Sequence, residues 1–270
     1  MIRFSKFNFA SLMFGYGFLY IPILYLMVYS FNDSRIIGDW AGFSLRWYSK
    51  LIEDELMINA VLNSFEIAAI TATISVILGT MAAIIMVRLK RFGGRTLFSG
   101  LISAPLVMPE VITGLAILLM FVTLERAIGW PSERGMITIT IAHITLTMSY
   151  VYLVVQARLA DFDMSLEEAA MDLGAKPSTV FFKITLPLIS PSLMSGWLLS
   201  FALSLDDVVV ASFLAGPGST TLPILVFSSV RTGVTPELNA LATIIVGIVS
   251  IGILISGLVI YRRTTKNSKI

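Results

Sequence analysis

Five ionisable side chains stand inside long apolar runs: Glu66, Glu110, His143 and the adjacent Asp206 and Asp207. A charge at the middle of a bilayer is costly, so such groups face a bundle interior or a wet cavity and mark a path for ions or solutes. A helical rise of about 1.5 Å per residue sets Glu110 roughly 21 Å and Asp206 roughly 22 Å above one end of their runs. Glu66 and His143 come roughly 10 Å below the opposite surface of a hydrocarbon core about 30 Å thick. All five therefore fall near one level. With carboxylates in excess and no Lys or Arg inside the runs, a cavity at that level favours a cation and disfavours sulfate, phosphate or molybdate.

Each of these residues also has a purely structural reading. Asp206 and Asp207 lie about 100° apart on a continuous helix, so both line one cavity only obliquely, and one of them can instead bond a neighbouring Ser or Arg. Glu110 follows Pro105 and Pro109 in "APLVMPEVITG"; the prolines free backbone groups, and a carboxylate in the first turn of the restarted half-helix suits its dipole. Glu66 is near enough to the surface to reach polar surroundings. His143 is either a hydrogen-bonded packing residue or a ligand, and Tyr150 and Trp197 are either core aromatics or a face for a cation.

The elements that must position these groups are spans. The chain has 270 residues, 56% hydrophobic and 13% charged, about half the charge of an ordinary globular domain. Apolar runs of the length that crosses a bilayer cover 9–31, 60–87, 96–122, 136–157, 191–215 and 241–261. The first is too long for the apolar segment of a signal peptide and no small-x-small cleavage site follows, so it reads as an uncleaved span. Of the 19 Lys and Arg, thirteen flank one side of the six spans: Arg3, Lys6, Arg88, Lys90, Arg91, Arg95, Arg158, Lys176, Lys183, Arg262, Arg263, Lys266 and Lys269. The other six flank the opposite side, so both termini are expected in the cytoplasm. Trp40, Trp47, Tyr48 and Trp130 then fall in outer loops, where an aromatic belt belongs.

Several classes drop out. There is no cysteine, which removes disulfides, thiol nucleophiles and thiolate metal sites, and a lone histidine makes no histidine-based metal site. A net charge of +2 without an aromatic-studded basic tract does not suit nucleic acid. No G-x-x-x-x-G-K-[ST] phosphate loop occurs, so ATP is not bound in that manner. No Ser/His/Asp or paired-carboxylate arrangement outside the lipid zone suggests a hydrolase; a membrane protease or lipid enzyme stays open only through His143 beside an intramembrane Asp.

On the same side as the termini, the loop between spans four and five holds "EEAAMDLGAKPSTVFFKITLP" at 167–187. Ser165 with Glu168 three residues on reads as a capping box. Leu166, Ala169, Ala170 and Leu173 follow the spacing of one helical face, with Glu167, Glu168 and Asp172 elsewhere on the cylinder. Gly174 supplies a left-handed stop, Pro177 suits the first turn of a second helix, and that helix is expected to break before Pro187. An apolar stripe on so short a helix fits either a surface elbow or a partner's groove.

Glu168-Ala169-Ala170, three residues, Gly174, nine residues, then Ile184-x-Leu186-Pro187 resembles, position for position, the EAA loop of the membrane-spanning subunits of ABC importers. "SLDDVVVASFLAGPGSTTLP" at 204–223, "APLVMPEVITG" at 104–114 and "PELNALAT" at 236–243 look like the polyamine (putrescine/spermidine) permeases, closest to the putrescine-type subunit. The resemblance implies an all-α membrane protein of six transmembrane helices with the type I ABC importer permease fold, in which residues 1–270 form a single permease domain and 158–190 the cytoplasmic coupling loop. It makes Glu168, Ala169, Ala170 and Gly174 the ATPase-facing residues, while the charges inside the spans make Asp206, Asp207, Glu110 and Glu66 the expected substrate pathway. It implies no cofactor and no metal in this chain, with ATP bound by two partner ATPase subunits, a second six-span permease, a periplasmic polyamine-binding protein, and a bacterial inner membrane around the whole. The binding protein is then expected to meet the segment 216–240, whose apolar run 222–230 is too short to span and reads as interfacial or re-entrant; a plain structural turn is the other reading. A permease for iron or thiamine, or a stand-alone secondary transporter, are the alternatives.

Overall fold

The computed structural model describes residues 6–36, 38–89, 91–233 and 235–267, with side chains of Lys6, Thr232 and 252–267 left aside. Of the cations counted above, Arg3, Lys90 and Lys269 lie outside the described residues. The described residues contain helices and one isolated antiparallel bridge, Asn32 to Phe43. They form two compact units, one up to Ile58 and from Ser228 onward, the other Asn59–Phe227.

In the first unit, α1 (Lys6–Tyr29) and α2 (Arg46–Glu53) each pack on α12 (Pro236–Asn267). Asn32 orders the intervening loop: its side chain donates to Asp39 O at 2.6 Å and accepts from Ala41 N at 2.9 Å. Trp47 Nε1 donates to Asn32 O at 2.6 Å, and its ring is fully buried beneath Arg46. Trp47 is thus a packing residue of α2 and not part of an aromatic belt, because its indole N–H finds a protein acceptor.

The second unit is built on α3 (Glu55–Arg88), α4 (Arg95–Val107), α5 (Glu110–Ile128), α6 (Met136–Ala160), α9 (Leu186–Leu205) and α10 (Val209–Leu214). Small residues let the helices approach closely, as membrane interiors require where no hydrophobic force separates helix from lipid. A Cβ on Gly79 of α3 would stand 2.8 Å from Met148 O and 2.9 Å from Tyr152 N of α6, and one on Gly196 of α9 would meet Val151 at 3.3 Å. Val151 is accordingly fully buried between α3 and α9. α10 packs on α5 and α6 through Val210, Ala211 and Leu214.

Among the described residues, five helices are long and apolar enough to cross a membrane: Phe7–Tyr29, Glu55–Arg88, Glu110–Ile128, Met136–Ala160 and Pro177–Leu205. The sixth expected span, 241–261, falls on α12, which is apolar over Pro236–Ile251; the side chains of the rest of that span lie outside the described residues. Two spans depart from simple rods. The third is interrupted at Met108 and Pro109, as the prolines predict, and restarts with Glu110 in its first turn. The fifth is interrupted at 206–208, so the continuous helix expected over 191–215 is corrected. Its cause is Asp207, whose carboxylate accepts from the amides of Val210 at 3.3 Å and Ala211 at 2.7 Å and so starts a new helix.

Between α6 and α9 lie α7 (Ser165–Asp172), α8 (Pro177–Val180) and one π-helical turn, Phe181–Thr185. The capping box does not form. α7 starts at Ser165 itself, and the amide of Ser165 is taken by Asp163 Oδ1 at 3.0 Å. The hydroxyl and amide of Ser165 both hold the exposed Asp163 carboxyl below its ordinary range. Gly174 is left-handed at φ +85°, and the bonds Gly174 N to Met171 O at 2.9 Å and Ala175 N to Ala170 O at 3.0 Å close a Schellman motif. The helix does not break before Pro187. The π turn, with Leu186 N bonded to Phe181 O, shifts the register so that the ring enters the first turn of α9.

Candidate functional site

Both interruptions open onto one cleft of about 510 Å³ in the second unit. Met108, Pro109 and Glu110 line it from the break between α4 and α5, and Asp206, Asp207 and Val208 from the break between α9 and α10. α6 closes the back with His143, Thr147 and Tyr150. Three of the four sequence-predicted pathway acids therefore meet. Glu66 does not join them: it is exposed on α3 and absent from the lining. Trp197 is also elsewhere, stacked on Phe201 with its Nε1 on Thr73 Oγ1 at 3.2 Å.

The three acids are not equivalent. Asp207 is committed: besides the two amides it accepts, its Oδ2 lies 3.1 Å from His143 Nε2. A carboxylate only accepts, so His143 donates there, and in the neutral ring Nδ1 receives the hydroxyl of Ser204 at 2.7 Å. His143 is buried, with 2% of its surface exposed. Sequence reasoning left its role open; the structure makes it the brace of the helix break. Glu110 and Asp206 are exposed to the cleft, and neither carboxylate is hydrogen-bonded to another residue among the described ones. No Lys or Arg is among the lining residues. Two uncommitted carboxylates beside the Tyr150 ring suit a cation in transit, held by charge and by an aromatic face.

At the far end of the bundle, α7 turns most of its apolar side outward. Leu166 and Met171 are nearly half exposed, and Leu173 is 90% exposed. Glu168, Ala169 and Gly174 are exposed and Ala170 is half-buried. Glu167, which its spacing grouped with the polar face, is instead buried and bonded to Arg88 and Thr185. Helical spacing does not reveal this, since the partners lie in other elements.

Interrupted helices around an acid-lined cleft, with an amphipathic helix displayed outside the bundle, describe a membrane transport component. Residues 75–267 match the model of the binding-protein-dependent transport system inner membrane component family, and the chain belongs to that family. It is a transport subunit of the inner membrane, working with a solute-binding protein, a second permease and an ATPase. The putrescine transport system permease protein PotI of Escherichia coli (strain K12) is 58% identical over 247 residues, covering 92% of this chain and 88% of that protein. The spermidine/putrescine transport system permease protein PotC of the same organism is 39% identical over 253 residues, covering 94% and 93%. A bacterial ABC transporter involved in the import of the acidic polysaccharide alginate shares the fold, with a TM-score of 0.70 at 17% identity over 96% of this chain and 98% of that one.

Proposed function

We propose that the chain moves polyamines, putrescine foremost, into the cytoplasm as one of two permeases in an ATP-driven importer. The observation that carries this reading is the pair Glu110 and Asp206, uncommitted carboxylates at two helix breaks in a cleft without lining cations. The likeness to the putrescine permease PotI supports the same substrate class.

In this reading residues 1–270 work as a single permease domain with both termini in the cytoplasm. The loop 158–190 faces two ATPase subunits, which bind the ATP; this chain itself carries no cofactor. α7 seats the apolar side of Leu166, Ala169 and Leu173 in a groove of one of them, with Glu168 at its polar edge. α11 (Leu222–Thr232) and the segment before it meet the periplasmic polyamine-binding protein. That segment is firmly mounted: Asn63 Nδ2 donates to Gly218 O at 3.0 Å and Thr220 O at 3.1 Å, and Leu222 N to Ser64 Oγ at 2.7 Å. ATP binding shifts α7, the bundle turns its cleft outward, and the polyamine is handed in. Glu110 and Asp206 hold it loosely, because a site that grips a polycation hard cannot release it. Asp207 and His143 keep the break in shape.

Proteoliposomes test this reading. The complete complex is expected to take up labelled putrescine with ATP, competed by other di- and triamines and not by sulfate or phosphate, and the purified chain alone is expected to take up none. Uptake by the chain alone would make it a self-sufficient transporter and end the proposal.

A further inference from the structure

One buried carboxylate ties α7 to the end of α3 and to the start of the fifth span. Glu167 Oε1 accepts from Arg88 Nη2 and from Thr185 Oγ1, and the Glu167 side chain is only 3% exposed. Its two partners begin two separate routes to the cleft. Arg88 ends α3; Arg95 Nη2 donates to Met86 O at 3.2 Å and so fastens the start of α4 to that same end. α4 then runs to the break at Met108 and Pro109, where Glu110 stands. Thr185 ends the π turn from which α9 continues without interruption to the break at Asp206.

We infer that Glu167 is a positioning residue: it yokes α7 to α3 and to the π turn, so that one displacement of α7 moves both edges of the cleft together. The chain's covalent route from α7 passes forward through the Gly174 turn and backward through 161–164. The backward segment meets the core that α3, α4, α6 and α9 share through half-buried Phe162, and Glu167 adds a direct polar bond from α7 to the end of α3. A buried carboxylate bonded to the buried Thr185 hydroxyl and to half-buried Arg88 is suited to that task, because separating it from either one leaves the carboxylate short of a partner. Arg88 Nε, buried and without a partner among the described residues, is held in place by the same bond.

The inference rests on the reading of α7 as the ATPase-driven element, and one set of preparations tests both. The chain contains no cysteine, so spin labels at Leu89→Cys and Asp172→Cys, both exposed positions, report the α3 to α7 separation in the assembled complex. With Glu167 present the separation is expected to be the same in the nucleotide-free and ATP-bound complex. With Glu167→Gln it is expected to change on ATP binding, and uptake per ATP hydrolysed to fall roughly tenfold, within the usual range of site-to-site coupling. A separation that changes with ATP in the parent complex, or normal coupling in Glu167→Gln, overturns the yoke. If Glu167→Gln does not assemble, the parent's separation alone decides. Gly174→Val in parallel keeps the outcomes apart. If it uncouples while Glu167→Gln does not, only the yoke fails; if it too couples normally, the reading of α7 fails.

Discussion

The double substitution Glu110→Gln and Asp206→Asn is expected to lower putrescine uptake roughly 30-fold in a complex of normal abundance. Both residues sit at helix breaks, exposed to the cleft, so neutral isosteres remove charge without disturbing packing. A charge contact in this open cleft contributes about 1 kcal/mol, roughly fivefold in its hold on an ammonium and roughly 30-fold for the two together. Asp207→Asn is expected to behave differently. Its carboxylate binds the amides of Val210 and Ala211 and the His143 ring, so its loss loosens the break and lowers the amount of assembled complex before it changes substrate affinity. Equilibrium binding of labelled putrescine to the purified complex, alongside quantitation of the subunit, separates the two effects. Unchanged uptake in the double variant would place selectivity wholly in the binding protein.

Gly174→Val is expected to leave the bundle intact and to uncouple ATP hydrolysis from uptake by roughly tenfold or more. At φ +85° a β-branched residue meets strain of about 1–3 kcal/mol. The strain can be relieved by opening the Schellman bonds to Met171 and Ala170, which unwinds the last turn of α7 and swings Leu173 away. Apart from its chain neighbours, no atom of the described residues lies within 4 Å of where its Cβ would be, so a change in coupling reflects backbone conformation and not a clash. Gly174→Asn, which tolerates the left-handed region, is expected to retain most of the coupling. ATP hydrolysis and uptake measured in the same proteoliposomes give the ratio.

The pattern of successes in the sequence follows which interactions are local. Glu110 at a helix restart was legible because Pro109 removes an amide regardless of the fold. The left-handed Gly174 and Pro177 at a helix start were legible for the same reason. The break at 206–208 has no proline or glycine to announce it. It depends on Asp207 seizing amides while His143, from a different helix, braces the carboxylate. Equal heights along separate rods brought Glu66 toward the other acids, but height says nothing about which side of a helix faces the cleft. Glu167 and Glu168 are adjacent and chemically alike, and only the positions of Arg88 and Thr185 send one inward and leave the other outside. The turn at Pro187 reads as a stop until a π register provides for the missing amide.

In the proposed cycle, coupling requires α7 to dock its apolar side into an ATPase subunit. A single cysteine at Leu173, 90% exposed in this chain, measures that contact. In inside-out membrane vesicles, a water-soluble maleimide is expected to label Leu173→Cys rapidly when the permeases are produced without the ATPase, and much more slowly in the complete complex, because a docked contact excludes water. Equal labelling with and without the ATPase, or labelling only from the periplasmic side, would contradict it.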